Sequence, residues 1–227
     1  MIRAIIFDFD GLIIETERPS YQSWQEIYQS FGHNLPLSTW EINIGTTRGE
    51  FNPRLELEKL VGGKIDWEVA EARRQAIENA LIEAQPILPG AEGYLWDSRQ
   101  LGLKIGLASN SSRRWVVGHL TRIELVKYFD CICTADEVEQ LKPAPESYRC
   151  VLHGLGVNAG EAIALEDSPI GIRAAKAAGL FCVAVPNEMT RRLSMAEADY
   201  RLESLAEMPL KALLDQIKAF KTQGAAL

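Results

Sequence analysis

The first hydrophobic run of the chain spans residues 2–9 and reads IRAIIFDF, ahead of Gly11. A short run of Ile and Phe bounded by a glycine predicts a strand buried on both faces. From residue 16 to about 88 the texture changes. Apolar residues recur at helical spacing, first Trp24, Ile27, Tyr28 and Phe31, then Leu55, Leu57 and Leu60, then Val69, Ala72, Ala76, Ala80 and Leu81. That spacing predicts three or four amphipathic helices and no strong strand. Pro86 and Gly90 punctuate the end of this stretch. Beyond it the pattern alternates. Strands are predicted over 103–109, 129–135, 161–167 and 181–185, and helices over 112–120, 145–154 and 169–178. Short apolar runs separated by amphipathic helices build βαβ units. The predicted fold is α/β, a Rossmann-like parallel sheet core of residues 1–15 and 87–227, with an inserted all-helical cap domain over 16–86. The TQGAAL tail reads as frayed.

Composition narrows the function. Of 227 residues, 47% are hydrophobic, enough to bury a sizeable core. The formal net charge of -7 argues against a nucleic-acid partner, which a basic face would recruit. No apolar run reaches the roughly 18 residues of a membrane helix. Asp8 and Asp10 interrupt the N-terminal apolar stretch, so it does not read as a signal peptide. A cytoplasmic protein with no membrane partner is expected. The cysteines (Cys131, Cys133, Cys150 and Cys182) form no C-x-x-C pair, and His33, His119 and His153 are scattered. That argues against zinc and for reduced, mostly buried thiols.

The predicted strands share a feature at their carboxyl ends, where ligands bind in open α/β sheets. The first delivers Asp8 and Asp10, the second Ser109 and Asn110, the loop after the third Lys142, and the fourth Glu166 and Asp167. Each has an ordinary explanation. Ser109 or Ser111 can cap a helix, and so can Asp167 or Ser168 with Pro169 at the first helical position. Lys142 can be a solvated lysine. Together, and in this order, they suit phosphoryl transfer through an aspartate. A carboxylate nucleophile attacks phosphorus. A hard cation and a lysine offset the negative charge. A second carboxylic acid protonates the leaving alkoxide. Two aspartates two positions apart supply attacker and donor if their environments differ. A phospho-accepting regulatory domain uses a similar set, but needs neither the second carboxyl nor a helical cap.

The segments DFDGLIIE, LASNS, KPAPE and EDSPIGIRAAKAAG resemble, in order and spacing, the four motifs of the haloacid dehalogenase-like phosphohydrolases. The branch most similar contains the beta-phosphoglucomutases and phosphoglycolate phosphatases, which carry a helical cap after the first motif. The resemblance implies that Asp8 is the nucleophile and a Mg²⁺ ligand. It implies that Asp10 is the acid/base and binds the metal through its carbonyl. Ser109 and Lys142 would hold the phosphoryl group. Asp167 would ligate Mg²⁺, and Glu166 would assist it or orient a bound water. Gly11 would let the backbone turn tightly beside the phosphate, and Asn110 joins it among the substrate-binding positions. The dehalogenases lack the second aspartate, so they fit less well. In the cap, Arg48 of IGTTRGEF and Arg74, beside Arg73, are candidates for the distal part of the substrate. The mutases of this branch carry a histidine at the position aligned with Ser20, and an asparagine near the position of Arg113. Those departures favour a phosphatase over a sugar phosphomutase. The expected partner is a small phosphorylated substrate, and the expected state is a monomer or weak dimer.

Overall fold

Strand β1, Ala4–Phe7, lies in the middle of a six-stranded parallel sheet, flanked by β2 (Lys104–Ala108) and β4 (Ala162–Glu166). The order is completed by β3 (Cys131–Cys133), outside β2, and by β5 (Phe181–Ala184) and β6 (Tyr200–Arg201) beyond β4. The computed structural model describes residues 1–42, 44 and 51–224. Side chains alternate along β1. Ile5 and Phe7 enter a core with Tyr94, Leu95, Val116 and Leu213, from helices α5 (Ala91–Gln100), α6 (Arg113–Arg122) and α9 (Leu210–Gly224). Ala4 and Ile6 enter a second core with Tyr148, Val151, Ile172 and Ala175, from α7 (Glu146–Leu155) and α8 (Pro169–Ala177). Helices cover both faces, which is why the central strands are continuously apolar rather than alternating. Each fully buried Ile or Phe stabilises the sheet by roughly 1.5–3 kcal/mol.

Between β1 and α5 the chain forms α1 (Glu17–Ser30), α2 (Leu37–Trp40), α3 (Pro53–Val61) and α4 (Trp67–Glu83). They surround a separate apolar cluster that includes Ile27, Tyr28, Leu57 and Ala70. The Tyr28 hydroxyl donates to the Pro53 carbonyl at 2.7 Å, tying α1 to α3. Asn52 caps α3 by accepting from the Leu55 amide, with Pro53 at the start of the helix. The two strands of chain that join these helices to the sheet run side by side. Ile14 bridges Ile87, and the Leu88 amide donates to the Ile13 carbonyl at 2.8 Å.

Several elements differ from the sequence reading. Each strand is shorter than its apolar run, because residues at its ends, such as Asp8 and Ser109, keep a single ladder bond as the chain turns away. β6 is two residues long and too short to carry a periodic signal. α5 has a glycine in its first turn and a weak apolar stripe. The C-terminal segment is helical through Gly224 rather than frayed from Thr222, and residues 225–227 lie outside the described residues. Leu210, Leu213 and Ile217 of α9 are wholly buried, at the spacing of one helix face. All four cysteines are free, but only Cys133 and Cys182 are buried, while Cys131 and Cys150 are half-buried. No helix among the described residues is long and apolar enough to cross a membrane.

Candidate active site

Because all six strands are parallel, their carboxyl ends share one edge of the sheet, and β1 delivers its turn to the centre of that edge. Asp8 follows β1 directly and keeps one ladder bond, its amide donating to the Leu165 carbonyl at 3.0 Å. The Lys142 ammonium donates to Asp8 Oδ1 at 2.6 Å, to Glu166 Oε1 at 2.6 Å and to the Ala108 carbonyl at 2.8 Å. The Tyr148 hydroxyl also donates to Glu166 Oε1, and the Ser168 hydroxyl to Oε2. Lys142, Asp8 and Glu166 are buried, so this is one cation among several carboxylates largely withdrawn from bulk solvent. Burial alone would lower the lysine's pKa, but the charges of Asp8 and Glu166 outweigh it and push the value up. The Asp8 carboxyl is raised to about 8, first by burial, with Glu166 and Asp10 adding to the rise and Lys142 opposing it. Asp167 is raised well above the usual carboxylate range, by burial and then by Asp8 and Glu166.

Asp8, Glu166 and Asp167 offer carboxylate oxygens that all lie within 4.8 Å of one another. Lys142 occupies Asp8 Oδ1, and the Asn187 amide donates to Asp167 Oδ2 at 2.9 Å. Among the described residues, Asp8 Oδ2 and Asp167 Oδ1 have no hydrogen-bond partner. Buried carboxylates with one lysine between them are left under-compensated, and hard oxygen donors of this kind suit a small divalent cation. The donor set therefore fits a metal. Gly11 belongs to the same wall. Its φ of +81° is a left-handed conformation, and a Cβ there would stand 2.4 Å from Asp167 Oδ2.

The Asp10 carboxylate has a different environment. Its Oδ1 accepts from the Thr16 hydroxyl at 3.0 Å and the Trp115 indole at 2.9 Å. Its Oδ2 accepts from Ser111 at 2.6 Å and Ser109 at 3.3 Å. The Asp10 carboxylate does not share in the acidic cluster, and no lysine reaches it among the described residues. Asp8, Asp10, Ser109, Lys142 and Asp167 nevertheless line one cavity of about 340 Å³. Helices α1 and α4 contribute Glu17, Ser20 and Glu78 to its lining. Glu17 is raised to about 7, mainly by burial and then by the charges of Glu15 and Asp10.

The other sequence-predicted residues fare differently. Asn110 lines the cavity, but its carboxamide is bound to both backbone groups of Lys142, accepting from the amide at 2.8 Å and donating to the carbonyl at 3.3 Å. Arg74 does not line this cavity. Its guanidinium is held by Glu71 and Glu78, each at 2.7 Å, above the Trp24 ring. Arg113 pairs with Glu137 at 3.0 Å on the exposed side of α6. Arg48 lies outside the described residues. Sequence reasoning missed Thr16, Ser111, Trp115, Tyr148 and Asn187. Asn187 stands three residues past β5, so the strand-end rule applied to the fifth strand would have found it.

This arrangement defines a class of protein. A profile of the haloacid dehalogenase-like hydrolases matches residues 5–185, and the chain belongs to that family. It is an enzyme of the phosphoric monoester hydrolase type. The Bacillus subtilis protein YhcW, provisionally named a phosphatase, is 47% identical over 220 residues, covering 96% of this chain and 99% of YhcW. The crystal structure of CbbY from Rhodobacter sphaeroides in complex with phosphate superposes with a TM-score of 0.72 at 29% identity, covering 91% of this chain and 96% of that one. The beta-phosphoglucomutase structure from Clostridium difficile gives a TM-score of 0.75 at 26% identity, covering 98% and 100% of the two chains.

Proposed function

We propose that this enzyme is a Mg²⁺-dependent phosphatase of a small phosphorylated metabolite, of the sugar phosphate or phosphoglycolate type, acting through an aspartyl-phosphate on Asp8. The observation that carries the reading is the contrast between two aspartates on one cavity. Asp8 faces a lysine and an acidic cluster, while Asp10 faces only neutral donors. In this reading an Asp8 oxygen attacks phosphorus as the ester P–O bond breaks. Asp10 gives its proton to the departing alkoxide. Ser109 and Lys142 bind the phosphoryl oxygens, and Glu166 with Tyr148 orients the lysine. Asp10, now ionised, takes a proton from a water that attacks the phosphorus of the aspartyl-phosphate. Inorganic phosphate leaves and Asp8 is regenerated. Asp8 and Asp167 would hold Mg²⁺, with the Asp10 carbonyl and Glu166 as further candidates, and the ion supplies charge neutralisation between carboxylate and phosphate. Residues 16–86 act as the cap that closes over the substrate, and Arg48 remains a candidate for a cap contact to its distal part.

The runner-up is a sugar phosphomutase, favoured by the likeness to the beta-phosphoglucomutase structure. Ser20 on the cavity wall argues against it, because a hydroxyl has no ionisation near neutrality and cannot replace an imidazole in acid/base work. The test is a phosphorus NMR time course with beta-glucose 1-phosphate and a trace of the 1,6-bisphosphate, beside a panel of phosphorylated metabolites assayed for free phosphate. The phosphatase reading expects free phosphate to lead. Glucose 6-phosphate accumulating well ahead of phosphate would establish the mutase instead.

A further inference from the structure

Trp115 touches the proposed acid and does nothing else in the mechanism above. It is the third residue of α6, its ring lines the catalytic cavity, and its indole Nε1–H donates to Asp10 Oδ1 at 2.9 Å. An indole N–H is a donor only; it has no lone pair to accept with. Oδ1 must therefore be an acceptor whenever this contact is made. The two groups on Oδ2, the hydroxyls of Ser109 and Ser111, both donate and accept. A proton on Oδ2 is compatible with every neighbour of Asp10, whereas a proton on Oδ1 would have to point at the Thr16 hydroxyl and would leave the indole a weaker, hydroxyl-type acceptor.

The ring is itself firmly held. Ser112 caps α6 and accepts from the Trp115 amide. His119, one helical turn on, packs edge-on against the indole at 4.5 Å between centroids and 74° between planes. His119 in turn stacks on Phe9, the residue between the two aspartates, at 6.4 Å. The indole is thus braced against the same turn whose carboxylate it holds.

We propose that Trp115 is a positioning residue for the acid/base step: its indole pins Oδ1 of Asp10 and presents Oδ2 as the oxygen that delivers the proton to the leaving group. The inference rests on the phosphatase reading, in which Asp10 is that donor. Its consequence is selective. An ester whose leaving group needs a proton depends on the alignment, whereas one that departs unaided does not.

Two variants test it: Trp115→Phe, and Trp115 replaced by benzothienylalanine, which keeps the indole's shape but has sulfur in place of N–H. The readout is the ratio of kcat/KM for benzyl phosphate to that for 4-nitrophenyl phosphate, with Mg²⁺ present. Losing a hydrogen bond to a carboxylate should lower that ratio about tenfold in both variants. An unchanged ratio in the benzothienylalanine variant would overturn the proposal, even if Phe lowers it, because shape alone would then be responsible. Equal losses on both esters would overturn it too, as a purely structural role predicts. A second measurement does not depend on turnover. In a ¹⁵N-indole spectrum the Trp115 resonance, identified by its absence in Trp115→Phe, should move upfield in Asp10→Ala. A resonance that stays put would refute the contact. If the wild-type enzyme hydrolysed neither ester, the phosphatase reading would fall, and the indole spectrum would still decide whether Trp115 holds Asp10.

Discussion

Asp8 and Asp10 are two residues apart and differ in everything their side chains touch. Asp8 faces Lys142, with Glu166 beyond it, whereas Asp10 accepts from three hydroxyls and an indole. Asp8→Asn removes the attacking oxygen while keeping the shape, so turnover should fall by at least about 10³-fold with an unchanged circular dichroism spectrum. Asp10→Asn keeps the attacker and removes the proton donor. Hydrolysis of benzyl phosphate should fall about 10²-fold or more relative to 4-nitrophenyl phosphate; equal losses on both esters would remove Asp10 from the acid role. The two aspartates were legible in the sequence because they end an apolar run, and so were Ser109, Lys142, Glu166 and Asp167. Trp115 and Tyr148 were not, because they reach the site from helix faces, where an aromatic at helical spacing reads as core. Arg74 shows a signal overlooked. Glu71 and Glu78 stand three residues before it and four after it, on one helix face, and such spacing favours pairing within the helix over a free guanidinium.

At the level of elements, the junction of β4 with α8 carries the site. Glu166 ends the strand, Ser168 caps the helix by accepting from the Gly171 amide, and Gly171 sits against the Glu166 carboxylate. A Cβ at Gly171 would lie 2.0 Å from that carboxylate. Gly171→Ala must therefore move Glu166, which in turn holds Lys142 on Asp8. It should destabilise by about 1–3 kcal/mol and lower turnover together with stability. Gly118→Ala is the contrast. Gly118 lies inside α6 with open space where its Cβ would go, so the substitution should stabilise by about 0.5–1 kcal/mol through helix propensity. Urea unfolding of the two variants checks both signs; a neutral Gly171→Ala would show that Glu166 has room the packing denies. The strands and the βα alternation were readable from short apolar runs. The boundaries were not, because Asp8 and Ser109 keep a ladder bond while their side chains already serve the site.

The whole molecule joins a sheet-based body to a helical segment through two adjacent connections, where Ile14 meets Ile87. If these are the hinges, a phosphate mimic with Mg²⁺ should slow proteolytic cleavage near Glu15–Glu17 and Pro86–Gly90, and unchanged cleavage under saturating ligand would count against closure. The buried acids also set the pH response of the metal-free protein. Asp8 is raised from an ordinary 3.8 to about 8, and Glu17 from 4.5 to about 7. Carboxyls raised on folding favour the native state at low pH, and that contribution is lost as pH climbs through the raised values. Lys142, raised further above its already high value, adds no slope in this range. The melting temperature without metal should therefore fall between pH 4 and pH 8, and Mg²⁺ should raise it more at pH 8 than at pH 5. A metal-induced gain that is larger at pH 5 would contradict the placement of the ion among these carboxylates. The central claim is that phosphate passes through Asp8, and the most direct measurement is acid-quench mass spectrometry of the enzyme during turnover of an aryl phosphate. The account predicts a phosphoryl adduct on Asp8 that forms with Mg²⁺, is absent with excess EDTA and is absent in Asp8→Asn. Turnover with an adduct on another residue, or Asp8→Asn turning over at the wild-type rate, would contradict it.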